Sequence, residues 1–140
     1  MAATVKSVPY FYTRIEASPG QAYRLLAQLA QEDINLLAFS AVPFGPNFIE
    51  LTIFPELESN LMQAARRLNW ELSEAQHAFL VQGDDKLGAL AGVHEKLFAA
   101  DVDIYASTGV TDGQGHYGYV IYVKNQDVEK AAKALEADLS

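Results

Sequence analysis

Apolar positions recur with a period of two in some stretches and near 3.6 in others, and the two patterns take turns along the chain. Phe11, Thr13 and Ile15 alternate with Tyr10, Tyr12 and Arg14, which predicts a strand. Ser18-Pro19-Gly20-Gln21 then predicts a helix start, with Ser18 as cap, Pro19 at the first position and Gln21 completing a capping box. Ala22, Leu25, Leu26 and Leu29 follow on one helical face. Residues 36–42 read as an apolar strand and Pro43-Phe44-Gly45-Pro46-Asn47 as a turn. In residues 48–54, Ile49, Leu51 and Ile53 alternate with Glu50 and Thr52, and a helix carrying Leu61, Ala64, Ala65 and Leu68 comes after Pro55.

The order then repeats. Residues 78–82 predict a strand, and Asp84-Asp85-Lys86-Leu87-Gly88 is a loop into a helix bearing Leu90, His94, Leu97 and Phe98. Residues 103–111 and 117–123 predict strands joined by the turn Asp112-Gly113-Gln114-Gly115-His116, and Asp127 is placed to cap a last helix with Val128, Ala131, Ala132 and Leu135. A shift of 68 residues puts Ser18-Pro19-Gly20 on Lys86-Leu87-Gly88, and Asp33-Ile34-Asn35-Leu36 on Asp101-Val102-Asp103-Ile104.

Each half therefore reads strand, helix, strand, strand, helix. An antiparallel sheet with helices packed on one face is the simplest way to bury these stripes, which makes the fold α+β. Residues 1–71 are expected to form the first copy and residues 72–140 the second, with edge strands exchanged. Residues 2–8 would complete the second copy and residues 72–77 the first.

Composition narrows the function. Half of the 140 residues are hydrophobic, enough for a core, and cysteine is absent, so neither disulfides nor thiolate metal sites contribute. The net charge of -8, with Arg66-Arg67 the one adjacent basic pair, argues against nucleic acid and against anionic membranes as partners. No signal-like apolar run opens the chain and no stretch approaches the length of a membrane helix, so a cytoplasmic protein is expected. The concentration of aromatics in the first half, Tyr10, Phe11, Tyr12, Phe44, Phe48 and Trp70, suggests that the sheet face away from the helices needs cover from the other copy or a second chain. A homodimer is the expected assembly.

Asp85-Lys86-Leu87-Gly88-Ala89-Leu90 and the later Ala100-Asp101-Val102-Asp103-Ile104 resemble motifs of the ACT domain, a ferredoxin-like βαββαβ module, with Ser18-Pro19-Gly20 and Asp33-Ile34-Asn35-Leu36 as the first copy's counterparts. The resemblance covers nearly the whole chain as two copies. It implies a regulatory protein that binds an amino acid at an interface between two domains, using the loop before the first helix and the start of the second strand. On this chain those positions are Ser18, Pro19, Gly20 and Asn35 in the first copy, and Asp84, Asp85, Leu87, Gly88, Ala89 and Asp103 in the second. The chemistry suits such a ligand. Glycine lets backbone approach closely, helix-start N–H groups suit a carboxylate, and a short acid or amide can take an ammonium. Each copy holds part of the motif: Ala17 stands where the loop acid would be, and Leu87 replaces a proline.

Blander readings accompany these assignments. Gly20 and Gly88 also serve close helix–sheet packing, and Asp84 and Asp85 also serve a helix start. His94, His77 and His116 lack metal-ligand spacing, and no nucleophile motif is present, so no catalytic residue, metal or cofactor is expected. The turn Gly113-Gln114-Gly115-His116-Tyr117-Gly118 lies between strands and lacks the ending of a phosphate loop. The rival to an amino-acid sensor is a non-catalytic structural or protein-interaction module with degenerate ligand loops. A small enzyme using His94 or His116 with a carboxylate ranks third.

Overall fold

The computed structural model describes residues 3–138. Met1, Ala2, Leu139 and Ser140, which the expected copies and edge segment include, lie outside it. The elements run β1 (Thr4–Glu16), α1 (Gln21–Gln31), β2 (Leu36–Phe44), β3 (Phe48–Pro55), α2 (Glu58–Leu68), β4 (Gln76–Asp84), α3 (Ala89–Ala99), β5 (Ile104–Thr111), β6 (His116–Val123) and α4 (Val128–Leu135), with a 3-10 turn at Asn125–Asp127. The chain divides into two compact units, one of residues 9–76 and one that joins the residues up to Val8 with those from His77 on.

In the unit of residues 9–76 the strand order is β2-β3-β1. β3 is antiparallel to both neighbours, with Phe11 opposite Ile53 and Phe39 opposite Ile53 on the other side. Phe11 and Ile53 meet Leu29 of α1 and Leu61 and Ala64 of α2 in a buried cluster, so both helices cover one sheet face. Residues 71–73 run along β1: Ser73 N–H donates to Tyr12 O (2.9 Å), and Thr13 Oγ1 donates to Glu71 O (2.7 Å). On the face away from the helices, Tyr10 stacks on Phe54 with centroids 5.1 Å apart.

In the other unit the order is β1-β4-β6-β5, the start of β1 forming one edge. β6 is antiparallel to β4 and β5, with Phe79 opposite Ile121 and Ser107 opposite Ile121. Val93 and Leu97 of α3 and Ala131, Ala132 and Leu135 of α4 close over Phe79, Val81, Tyr119 and Ile121. Thr4 Oγ1 donates to Gln82 O, while Asp138 N–H donates to Val5 O and Ser7 N–H donates to Asp138 O, so the start of β1 is held on both sides.

The two helix-to-strand passages match hydrogen bond for hydrogen bond. Ile34 N–H donates to Leu29 O and Val102 N–H to Leu97 O, both at 2.9 Å; Asp33 N–H donates to Ala30 O and Asp101 N–H to Phe98 O. Asp33 (φ 58) and Asp101 (φ 60) take the left-handed conformation this Schellman ending requires. Each following strand carries an irregularity at the same place, between Leu36 and Ala38 and between Ile104 and Ala106.

Three local expectations are corrected. Gly20, at φ 88, precedes α1, which starts at Gln21 with no side-chain cap, so the Ser18–Gln21 capping box does not form. The left-handed glycine turns the chain after Ser18 and Pro19 rather than letting them enter the helix. Asp127 makes no capping bond either; its carboxylate sits 3.8 Å from Lys130 Nζ. Phe98 is 84% exposed, because the face of α3 that meets the sheet is set by Val93 and Leu97.

Candidate functional site

The second unit contains an open cleft of about 670 Å3 between the β4–α3 loop and the ends of β5 and β6. Residues 85–91 form one wall, and Gly109, Val110, Thr111, Tyr117 and Gly118 form the other. Three local features build it. Gly88 stands at φ 81, a conformation that L side chains rarely adopt, and starts α3 there without a side-chain cap. Gly88 offers the first-turn amides no capping side chain, Ala89 N–H donates back to Lys86 O (3.0 Å), and a helix start favours negative charge. Gly109 opens the opposite wall: a Cβ there would meet the Tyr119 ring at 3.0 Å and Leu90 at 3.6 Å.

Tyr119 is fixed beneath this wall. Its hydroxyl donates to Ser107 Oγ (2.9 Å) and lies 2.6 Å from Nε2 of His94. His94 is thus tied to a buried tyrosine through one ring nitrogen although the residue as a whole is exposed. Tyr117 presents a neutral phenol at the cleft; burial raises it above the usual 10.0. Lys86 lies on the loop wall, so the cleft offers a cation, backbone donors and apolar contacts from Leu87, Leu90 and Val110.

Of the expected site residues, Asp85, Leu87, Gly88 and Ala89 line this cleft together. Asp84 ends β4 opposite His116, one residue before the wall, and Asp103 precedes β5 away from the lining. Ser18, Pro19, Gly20 and Asn35 belong to the unit of residues 9–76. Gly20 repeats the geometry of Gly88, with φ 88 and no side-chain cap on α1. Asn35 is engaged locally: its amide donates to Glu56 Oε2 (3.2 Å), and Glu56 N–H donates to Asn35 O (2.8 Å). Sequence reasoning missed Gly109, Val110, Thr111, Tyr117 and Gly118. The signal it could have used is the pairing of the two strands after the motif helix, which returns their far ends to the loop.

The described residues contain no group of three or more histidines or carboxylates that could hold a metal ion, and no helix among them is long and apolar enough to cross a membrane.

No family model matches the chain, and no curated protein matches it. Solved structures do. Protein BT0572 from Bacteroides thetaiotaomicron superposes with a TM-score of 0.76 at 22% identity, covering 99% of this chain and 93% of that one. The regulatory subunit of aspartate kinase from Thermus thermophilus, solved in its ligand-free form, gives 0.59 at 15% identity, covering 96% and 94%. The corresponding regulatory subunit from Thermus flavus gives 0.56 at 14%, also covering 96% and 94%. At these identities the likeness shows the fold. The chain has an α+β architecture of the ferredoxin-like, ACT type, an antiparallel sheet with helices packed on it.

Proposed function

We propose that this chain is a tandem ACT-type regulatory protein, residues 1–71 and 72–140 forming its copies with exchanged edge strands, and that it binds an amino acid or related small metabolite without catalysing a reaction. The observation that carries the reading is the convergence of the Asp85–Ala89 motif on an open cleft headed by an uncapped helix start. An α-amino acid fits this chemistry. Its carboxylate would meet the Leu90 and Ala91 amides at the start of α3 and Lys86, its ammonium the Asp85 carboxylate, and its side chain the apolar surface of Leu90 and Val110. Full-length likeness to regulatory subunits of aspartate kinase supports the regulatory role. The protein would act in the cytoplasm as a homodimer and signal through a partner. The exposed edge strand β5, with Tyr105 and Val110 open to solvent, supports the dimer. The remaining proposed ligand-binding residues lie outside this cleft: Asp84 and Asp103 in the same unit, and Ser18, Pro19, Gly20 and Asn35 in the unit of residues 9–76.

Thermal unfolding in the presence of each standard amino acid at millimolar concentration tests this. A ligand at 100 times its dissociation constant adds about 2.7 kcal/mol, a rise of several degrees. Val110 is 71% exposed, so Val110→Glu should change intrinsic stability by no more than about 0.5 kcal/mol while placing a charge on the apolar surface that receives the ligand side chain. The expected result is a selective rise in Tm with the parent protein that Val110→Glu abolishes. A flat panel would contradict the amino-acid reading and favour a protein-interaction module.

A further inference from the structure

The loop wall of the cleft is held from outside the cleft. Asp85 N–H, at the start of the loop, donates to Gly115 O (2.8 Å) in the β5–β6 turn. That turn contains two glycines with positive φ, Gly113 (φ 74) and Gly115 (φ 94), a backbone with wide conformational freedom. One carboxylate closes it. Asp112 Oδ1 accepts from Gln114 N (2.7 Å) and from His116 N (3.1 Å), and Oδ2 lies 3.2 Å from Nδ1 of His116. Asp112 N–H also donates to His116 O (3.0 Å), so both ends of the turn are pinned to one residue.

The first copy has the same brace made differently. Ala17 N–H donates to Asn47 O (2.9 Å), the pair equivalent to Asp85 and Gly115. There Phe44 stands in the place of Asp112, and the turn runs through Gly45-Pro46, where the proline ring fixes φ covalently. In the second copy the rigidity that proline supplies has been transferred to hydrogen bonds on a single side chain.

We propose that Asp112 is a positioning residue for the cleft. By ordering the β5–β6 turn it aims Gly115 O at Asp85, and so fixes the entry of the β4–α3 loop. The cleft of the second copy is therefore adjustable from its turn, whereas the matching turn of the first copy is fixed by Pro46. The link to ligand binding rests on the function proposed above; the brace itself is read without a ligand.

Amide hydrogen exchange by NMR, on the whole chain without ligand, tests it. In Asp112→Ala, exchange of the Asp85 amide should rise by about tenfold, while the Ala17 amide keeps its parental rate. Asp112→Asn, which retains an oxygen acceptor for the two turn amides, should restore protection of Asp85 to within about threefold of the parent. Unchanged Asp85 exchange in Asp112→Ala would overturn the proposal. So would a parallel rise at Asp85, Ala17 and the core amides of Phe79 and Ile121, because the variant would then be acting through global stability. Failure here together with a positive amino-acid panel would leave the binding reading standing, and a flat panel with the expected exchange pattern would leave the brace standing.

Discussion

Gly88 and Asp112 do unlike things for the same cleft. At Gly88 a Cβ would meet nothing within 4 Å, so the position needs glycine for the sign of φ and not for room. Asp112 is an acceptor for its own turn, and the donations from the Gln114 and His116 amides, followed by the nearby imidazole, hold its carboxyl below the ordinary 3.8. The sign of the linkage follows. A carboxyl depressed in the folded state contributes its stabilisation fully above the ordinary value and loses it only as pH falls through the lower folded one. The turn should therefore be intact at pH 5 and loosen only in stronger acid. Titration of the Asp112 side-chain carboxyl by carbon NMR should give a midpoint below 3.8; a midpoint at or above it would show that the turn bonds do not form in solution.

At the scale of elements, α3 owes its seat to two side chains one turn apart. Val93 and Leu97 are buried, and Leu97 is 1% exposed, while the larger Phe98 beside it points to solvent. Leu97→Ala should cost about 2–5 kcal/mol in denaturant unfolding. Phe98→Ala should stay within about 0.5 kcal/mol. Comparable losses at both positions would contradict the orientation of the helix. The helices and strands were legible because their apolar periods differ, and the passages Asp33-Ile34 and Asp101-Val102 were legible as equivalents because both carry out one helix ending. The start of α1 departs from its sequence pattern for a physical reason. Ser18-Pro19 has the chemistry of a cap, and only the left-handed turn at Gly20, which sequence does not display, moves the helix start beyond it. Phe98 is hydrophobic enough for the core, yet its angle about the helix axis, one residue past Leu97, carries it off the sheet.

At the scale of the whole molecule, the site divides into a legible wall and a hidden one. Residues 85–89 sit together in sequence, so a motif could announce them. Gly109, Val110 and Tyr117 reach the cleft only through the β5–β6 pairing, and their distance in sequence from the loop gave no sign of it. The two units also differ at matching positions: Gly20 and Gly88 share a conformation, whereas Asn35 is taken up by Glu56 and Phe44 stands where the other unit has Asp112. The most direct test is amide chemical-shift mapping of the isotopically labelled protein as amino acids are added to millimolar concentration. The expected result is saturable shifts with one ligand class, concentrated at Lys86–Ala91 and at Gly109–Thr111. No saturable shift with any amino acid, or shifts confined to residues distant from both walls, would contradict it.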